Sequence, residues 1–193
     1  MLAGVTADTL ETVQIAAGVV GPRVTPQGAT HGVVPDPFAG AIHIELEIHW
    51  DDDQHRYVCQ EFHAYGDPSR AVGVTTDVLR RVRIADWVTL TLLFGGDGGG
   101  GVIREERNPD GREPWGLKPP DDVAEALAEA GPNDRAMRWT AHLYTIGHAV
   151  GYGGTKNVEE ALKLTRATAG RWVGWAREAG YLSPAPGAGK AGI

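Results

Sequence analysis

Cysteine and long apolar runs are nearly absent from this chain. A single cysteine, Cys59, stands among 193 residues, which excludes a disulfide within the chain and a zinc site built on several cysteines. No apolar run approaches the roughly eighteen residues that a membrane-spanning helix needs. The N-terminus is weakly apolar but lacks the basic start of a signal peptide. We therefore expect a cytoplasmic protein that makes no contact with a membrane.

The N-terminal part of the chain has the pattern of antiparallel β-structure. Apolar and polar residues alternate strictly over 41–50, which predicts a strand with one buried face and one wet face. A polar turn follows at 51–54, and the aromatic and β-branched stretch 55–65 predicts the returning strand of a hairpin. A capping signature at 75–81 predicts a short helix.

Other stretches of this part are ambiguous or irregular. Residues 8–20 fit either a strand or a short helix, and residues 84–94 fit either a helix or a buried strand. The glycine run 95–101 predicts a flexible loop. We expect residues 1–120 to form an α+β body that dimerises or binds a partner.

From residue 121 onward the patterns are helical. Residues 121–130 predict a short helix, and Asn133 is placed to cap a longer helix over 134–150. The tail after Leu182 is rich in proline, glycine and alanine, which predicts disorder. The predicted fold class is α+β, with an N-terminal antiparallel hairpin or sheet and short helices, followed by a C-terminal trihelical domain over 121–193.

Residues 155–182 predict a short helix, a tight turn and a longer helix. Thr155 and Thr165 are placed to cap the two helices. The buried face of the second helix is predicted from apolar residues spaced three and four apart. These residues are Ala169, Trp172, Val173 and Ala176. Gly180 is placed to end this helix as a C-terminal cap.

The stretch 161–173, ALKLTRATAGRWV, resembles the core of bacterial homeodomain-like helix-turn-helix domains. More narrowly, the C-terminal third is similar to a group of actinobacterial proteins that end in such a domain. The resemblance implies a three-helix fold, a helix-turn-helix at 155–180 and binding to double-stranded DNA.

Two positions depart from the family pattern. Lys163 stands where the turn usually has glycine, and Glu159 stands where a small residue usually faces the second helix. We expect either a slightly rotated helix or an ion pair between Glu159 and a nearby arginine.

The predicted DNA contacts lie at the N-terminal ends of the two helices. A recognition helix presents its first turns to base edges, and its N-terminal amides suit phosphate. Arginine side chains would reach guanine or phosphate, an alanine methyl would touch thymine, and a glycine would let the backbone come close. The predicted contacts are Thr155, Lys156, Thr165, Arg166, Ala167, Gly170 and Arg171.

The charge distribution agrees with this prediction. The net charge is −7, but residues 134–193 hold eight Lys or Arg against four Asp or Glu. The rest of the chain holds ten basic against twenty-one acidic residues. An acidic body joined to a basic helical end is typical of a DNA-binding appendage.

Three function classes are open. The first is a DNA-binding protein, as a transcriptional regulator or an accessory factor of a mobile element, acting as a homodimer joined through the hairpin 41–65. The second is an adaptor whose trihelical end packs on protein.

The third is a metal-dependent enzyme on the wet face of the hairpin, where three histidines and three glutamates stand. These residues are His43, Glu45, Glu47, His49, Glu61 and His63. Ordinary solvent-facing side chains of an alternating strand are by far the simpler explanation of that face, so we expect no catalytic site, no bound metal and no cofactor.

Overall fold

The computed structural model describes residues 11–25, 32–33, 42–66, 74–94, 102–108 and 110–183. The elements are β1 (Thr12–Ala16), β2 (Val19–Pro22), β3 (Gly32–Val33), β4 (Ile42–Asp51), β5 (Arg56–Gly66), α1 (Thr76–Arg81), α2 (Ile84–Phe94), β6 (Arg104–Glu105), α3 (Asp121–Ala130), α4 (Asp134–Ala149), α5 (Gly154–Ala161) and α6 (Arg166–Glu178). The predicted α+β class with antiparallel β-structure is confirmed. Within the described ranges, no helix is long and apolar enough to cross a membrane.

The strands form two three-stranded sheets, in the orders β1-β2-β6 and β3-β4-β5. In the second sheet β3 pairs antiparallel with β4, and Gly32 lies opposite Ile44. Strands β4 and β5 are neighbours joined by only four residues, as in the predicted hairpin. Ile44, Leu46 and Ile48 are buried, so the predicted inner face of β4 is confirmed at these three positions.

The chain divides into two compact units. The second unit comprises Gln14–Val20, Asp52–Arg56 and Glu105–Ile193, and the first unit comprises the remaining residues. The sequence placed a boundary at residue 120, whereas this division groups the residues from Glu105 onward with the C-terminal helices. Independent folding of residues 121–193 stays a prediction.

The structure settles two ambiguous stretches of the sequence. Residues 84–94 form the helix α2 rather than a strand, and its Val88 and Leu92 are buried. The hydroxyl of Thr91 donates to the carbonyl of Trp87 four residues earlier, which satisfies a buried polar group inside the helix. The ambiguous residues 8–20 contain the strand β1 and the start of β2, within the part that is described.

The second unit is built around one apolar core. Helices α4, α5 and α6 pack on one another, and α3 packs on α4. The buried residues of this core include Leu127, Trp139, Leu143, Val158, Leu162, Trp172 and Val173. Asn133 caps α4 as predicted, because its side chain accepts a hydrogen bond from the amide of Ala136 at 2.9 Å.

Two glycines bring α4 and α5 close together. A Cβ atom added to Gly147 would lie 2.5 Å from the Cβ of Asn157, and one added to Gly154 would lie 2.5 Å from the Tyr144 ring. The prediction that Thr155 caps α5 is wrong. The helix begins at Gly154, and its N-cap is Gly153, whose φ of 97° favours glycine. Thr155 therefore lies inside the first turn of α5.

Two further predictions fall outside the described residues. These are the flexible loop at 95–101 and the disordered tail from residue 184 onward.

Candidate nucleic-acid interface

The turn between α5 and α6 runs over residues 162–165. Lys163 adopts the left-handed conformation, with φ of 53°, where a β-carbon is disfavoured. Leu162 is fully buried and Leu164 packs against the same core, so apolar contacts with the core stabilise the turn. The ammonium of Lys163 lies 2.8 Å from Glu125 Oε1 and 3.7 Å from Asp121 Oδ1 of α3. The hydrogen bond with Glu125 is the main reason why the pKa of Lys163 is raised.

Both ends of α6 are capped as the sequence predicts. The Thr165 hydroxyl accepts a hydrogen bond from the amide of Thr168 at 3.3 Å. At the other end Gly180 has φ of 79°. The amide of Gly180 donates to Arg177, and the amide of Tyr181 donates to Ala176. This is the Schellman arrangement, which satisfies the last carbonyls of a helix.

The buried and exposed faces of α6 are sharply separated. Ala169, Trp172, Val173 and Ala176 are buried in the core, as predicted. The opposite face carries the exposed residues Arg166, Ala167, Gly170 and Arg171, which are four of the predicted contact residues. An added Cβ at Gly170 or Gly174 would meet nothing within 4 Å, so no described residue covers the outer face there.

The two arginines of this face differ in whether a carboxylate pairs with them. Arg166 Nη1 lies 3.3 Å from Glu159 Oε2. Arg171 has no carboxylate partner within the described part of the chain, and its guanidinium donates only to the Thr168 hydroxyl at 3.3 Å. Arg171 is therefore the better placed of the two to meet an external anion.

Thr155 and Lys156 lie together in the first turn of α5 and make no hydrogen bond or ion pair with the α6 residues within the described ranges. Thr155 is half-buried. The ammonium of Lys156 lies 4.0 Å from the centre of the Tyr152 ring and 3.9 Å from Glu160 Oε1. The Tyr152 hydroxyl in turn donates to Glu160. Lys156 thus belongs to a local surface network, which the sequence analysis did not anticipate.

Two residues of the outer face were missed by the sequence analysis. Trp175 is 40% exposed, although tryptophan is usually well buried. Glu178 is exposed in the last turn of α6. Both follow Arg171 at helical spacings of four and seven, so the same periodicity that identified the buried face could have found them. The positive part of this face is therefore its N-terminal half.

The wet face of the hairpin does not assemble a metal site in the described residues. His49 Nε2 lies 2.5 Å from Glu47 Oε1, and His63 Nε2 lies 3.2 Å from Glu61 Oε2. Each of these pairs is local to one strand. Among the described residues no group of three His, Cys, Asp or Glu side chains is placed to hold a metal ion.

Comparison with known proteins adds no relative. No protein-family model matches the chain, and no curated protein or solved structure matches it.

Proposed function

We propose that this chain is a DNA-binding protein that uses α5, the turn at 162–165 and α6 as a helix-turn-helix. In this proposal α6 is the recognition helix. The protein acts as a transcriptional regulator or as an accessory factor of a mobile element.

The observation that carries the proposal is the outer face of α6, which no described residue covers. A helix that enters the major groove must have a face that no other part of the protein covers. The first half of α6 presents Ala167, Gly170 and Arg171, and space is open around Gly170. Small side chains at two of these three positions allow the helix to come close to base edges.

The chemistry of this face suits duplex DNA. Arg171 can donate two hydrogen bonds to a guanine edge or one to a phosphate. The methyl group of Ala167 can contact a thymine methyl. Free amides at the start of α6 favour phosphate, and Thr165 lies at that end. Thr155 and Lys156 would contact the sugar-phosphate backbone from the start of α5.

We further propose that the protein binds DNA as a homodimer. One short recognition helix offers few base contacts, so specific binding usually needs two half-sites about one helical turn apart. In the described sheet β5 is at the edge of the order β3-β4-β5. An edge strand offers backbone groups that can pair with a second copy.

The proposal is tested by titrating the full chain into a labelled duplex at several salt concentrations. We expect binding that weakens with salt, because phosphate contacts release counterions. Arg171→Ala should weaken binding by about 1–3 kcal/mol if the residue contacts a base. Arg112→Ala is the matched control, because it removes the same charge from an exposed residue outside α6.

The second candidate is the adaptor, which the exposed Trp175 favours. Tryptophan is enriched at the centres of protein interfaces, where it contributes much of the binding energy. An adaptor would show no salt-dependent binding to DNA, and Arg171→Ala would not differ from the Arg112→Ala control. That result would exclude the helix-turn-helix proposal.

A further inference from the structure

A second site lies in the second unit, away from the outer face of α6. A cavity of about 330 Å³ opens there, at the lower end of the volume range of small-ligand pockets. All of its lining residues belong to the second unit. They are Gln54, His55, Tyr144, Thr145, His148, Arg177, Leu182 and Ser183.

The charge of the cavity wall is positive. Arg177 is its one permanently charged lining residue, and no lining residue carries a carboxylate. A cavity with this lining attracts an anion and disfavours a cation.

No described residue accepts a hydrogen bond from the guanidinium of Arg177. It makes no hydrogen bond or ion pair with any residue in the described part of the chain, and its Nε atom is buried. Its carbon lies 4.8 Å from the centre of the Tyr144 ring, so the group is held in place by a cation–π contact. A guanidinium fixed on an aromatic ring with its donors unused is suited to bind a carboxylate.

Two parallel aromatic rings line the cavity. The rings of Tyr144 and His148 are nearly parallel, at 5°, with their centres 6.4 Å apart. Gly154 packs against the Tyr144 ring, and His148 Nε2 donates to the carbonyl of Gln54 at 3.2 Å. These contacts position both rings before a ligand arrives.

We infer that this cavity binds a small planar organic anion, such as an aromatic carboxylate. The carboxylate accepts hydrogen bonds from Arg177, and the ring of the ligand contacts the aromatic side chains that line the cavity. This site is separate from the proposed DNA contacts, and the inference does not depend on the proposed function.

The test is an NMR titration of the full chain with benzoate, and with benzamide as a neutral ligand of the same shape. We expect saturable benzoate binding that shifts the amide signals of Arg177, His148 and Ser183. Benzamide should bind weaker by about tenfold or more, because it lacks the charge-assisted hydrogen bond. If benzoate does not bind saturably, or if benzamide binds equally well, the inference is wrong. This comparison needs no mutation.

Two matched variants locate the charge that is responsible. Arg177→Gln should weaken benzoate binding by about tenfold or more, whereas Arg171→Gln on the same helix should leave it unchanged. Equal losses in both variants would show a general charge effect and overturn the site.

Competition with duplex DNA is the last part of the test. If Arg177 instead contacts phosphate, saturating DNA will displace benzoate and Arg177→Gln will reduce the salt dependence of DNA binding, which would also overturn the site. Benzoate binding by a chain that does not bind DNA would support the cavity and refute the proposed function. DNA binding by a chain that does not bind benzoate would support the proposed function and refute the cavity.

Discussion

The carboxylate of Glu159 accepts a hydrogen bond from the guanidinium of Arg166, with 3.3 Å between Oε2 and Nη1. This contact joins α5 to the start of α6. The Glu159 side chain is only 31% exposed, so it needs a partner, and the contact supplies one. Of the two arrangements left open by the sequence, the ion pair is the one observed.

Releasing Arg166 from Glu159 should strengthen DNA binding. Glu159→Gln removes a negative charge beside the proposed interface and frees the guanidinium for phosphate. Exposed ion pairs contribute up to about 1 kcal/mol, so we expect a gain of up to about fivefold in affinity. Glu129→Gln, an exposed glutamate on α3, is the control with the same change in charge. Fluorescence anisotropy with a labelled duplex would measure both. Weaker binding by a folded Glu159→Gln chain would contradict the proposed role of Arg166.

Two tryptophans on α6 should differ strongly in their effect on stability. Trp172 is buried in the core, so Trp172→Ala should lower the free energy of unfolding by about 3–5 kcal/mol. Trp175 is 40% exposed, so Trp175→Ala should cost about 1 kcal/mol or less. Chemical denaturation of the two variants gives the comparison. Similar losses would mean that the buried face of α6 is misassigned.

Periodicity allowed the helices of the second unit to be predicted well. Trp139 and Leu143 of α4, and Ala169 and Trp172 of α6, are buried where their spacing placed them. These positions depend on helical geometry alone, which the sequence carries locally. The caps at Asn133 and Thr165 were predicted for the same reason.

Contacts between distant segments could not be predicted in this way. The start of α5 was misplaced because it depends on Gly154 packing against Tyr144, ten residues earlier on another helix. The cavity was missed because Gln54 and His148 are distant in sequence and meet only in the folded chain. No local pattern records that the segment 52–56 belongs to the second unit.

Two glycines should respond in opposite ways to the same substitution. Gly170→Ala should stabilise the chain by up to about 1 kcal/mol, because it lies inside α6 with open space around it. Gly154→Ala should destabilise it by about 1–3 kcal/mol, because the new methyl group would overlap the Tyr144 ring. Thermal unfolding of both variants is the measurement. Stabilisation by Gly154→Ala would show that α4 and α5 are not in close contact.

A larger side chain at Gly170 tests close approach to DNA. Gly170→Gln should leave the fold intact, since no described atom lies within 4 Å of the new Cβ, yet it should weaken DNA binding by keeping the helix away from the groove. Gly174→Gln, one turn further along α6, is the matched control and should have a smaller effect. Equal affinities of the parent and both variants would mean that α6 does not enter the groove.

The buried imidazole of His142 should make the second unit sensitive to acid. Burial lowers the pKa of His142, while the hydrogen bond to the Gly116 carbonyl, at 2.7 Å, acts in the opposite direction. The folded state therefore favours the neutral ring, and its contribution to stability is present above the unfolded pKa of about 6.5 and is lost as the pH falls below it. His142→Gln should reduce this loss, although the variant should be less stable at neutral pH.

Circular dichroism melts over a pH series would measure this dependence. His148→Gln, which changes an exposed histidine on the same helix, is the control and should retain the acid sensitivity of the parent. If the stability of His142→Gln falls with decreasing pH as steeply as that of the parent, another group is responsible for the acid sensitivity.

The edge strand β5 should hold the proposed homodimer together. Antiparallel pairing of two copies around a two-fold axis brings the residues nearest the axis close to their counterparts. Gln60 is exposed near the middle of the strand, so in a pairing centred there Gln60→Lys would place two positive charges close together at the interface. We expect the parent to sediment as a dimer at micromolar concentration and Gln60→Lys to shift it towards monomer.

Ala130→Lys adds the same charge to an exposed position at the end of α3 and should leave the dimer intact. A parent that sediments as a monomer both alone and with DNA would refute the dimer. A dimer that Gln60→Lys does not weaken would mean that the two copies do not pair through the middle of β5.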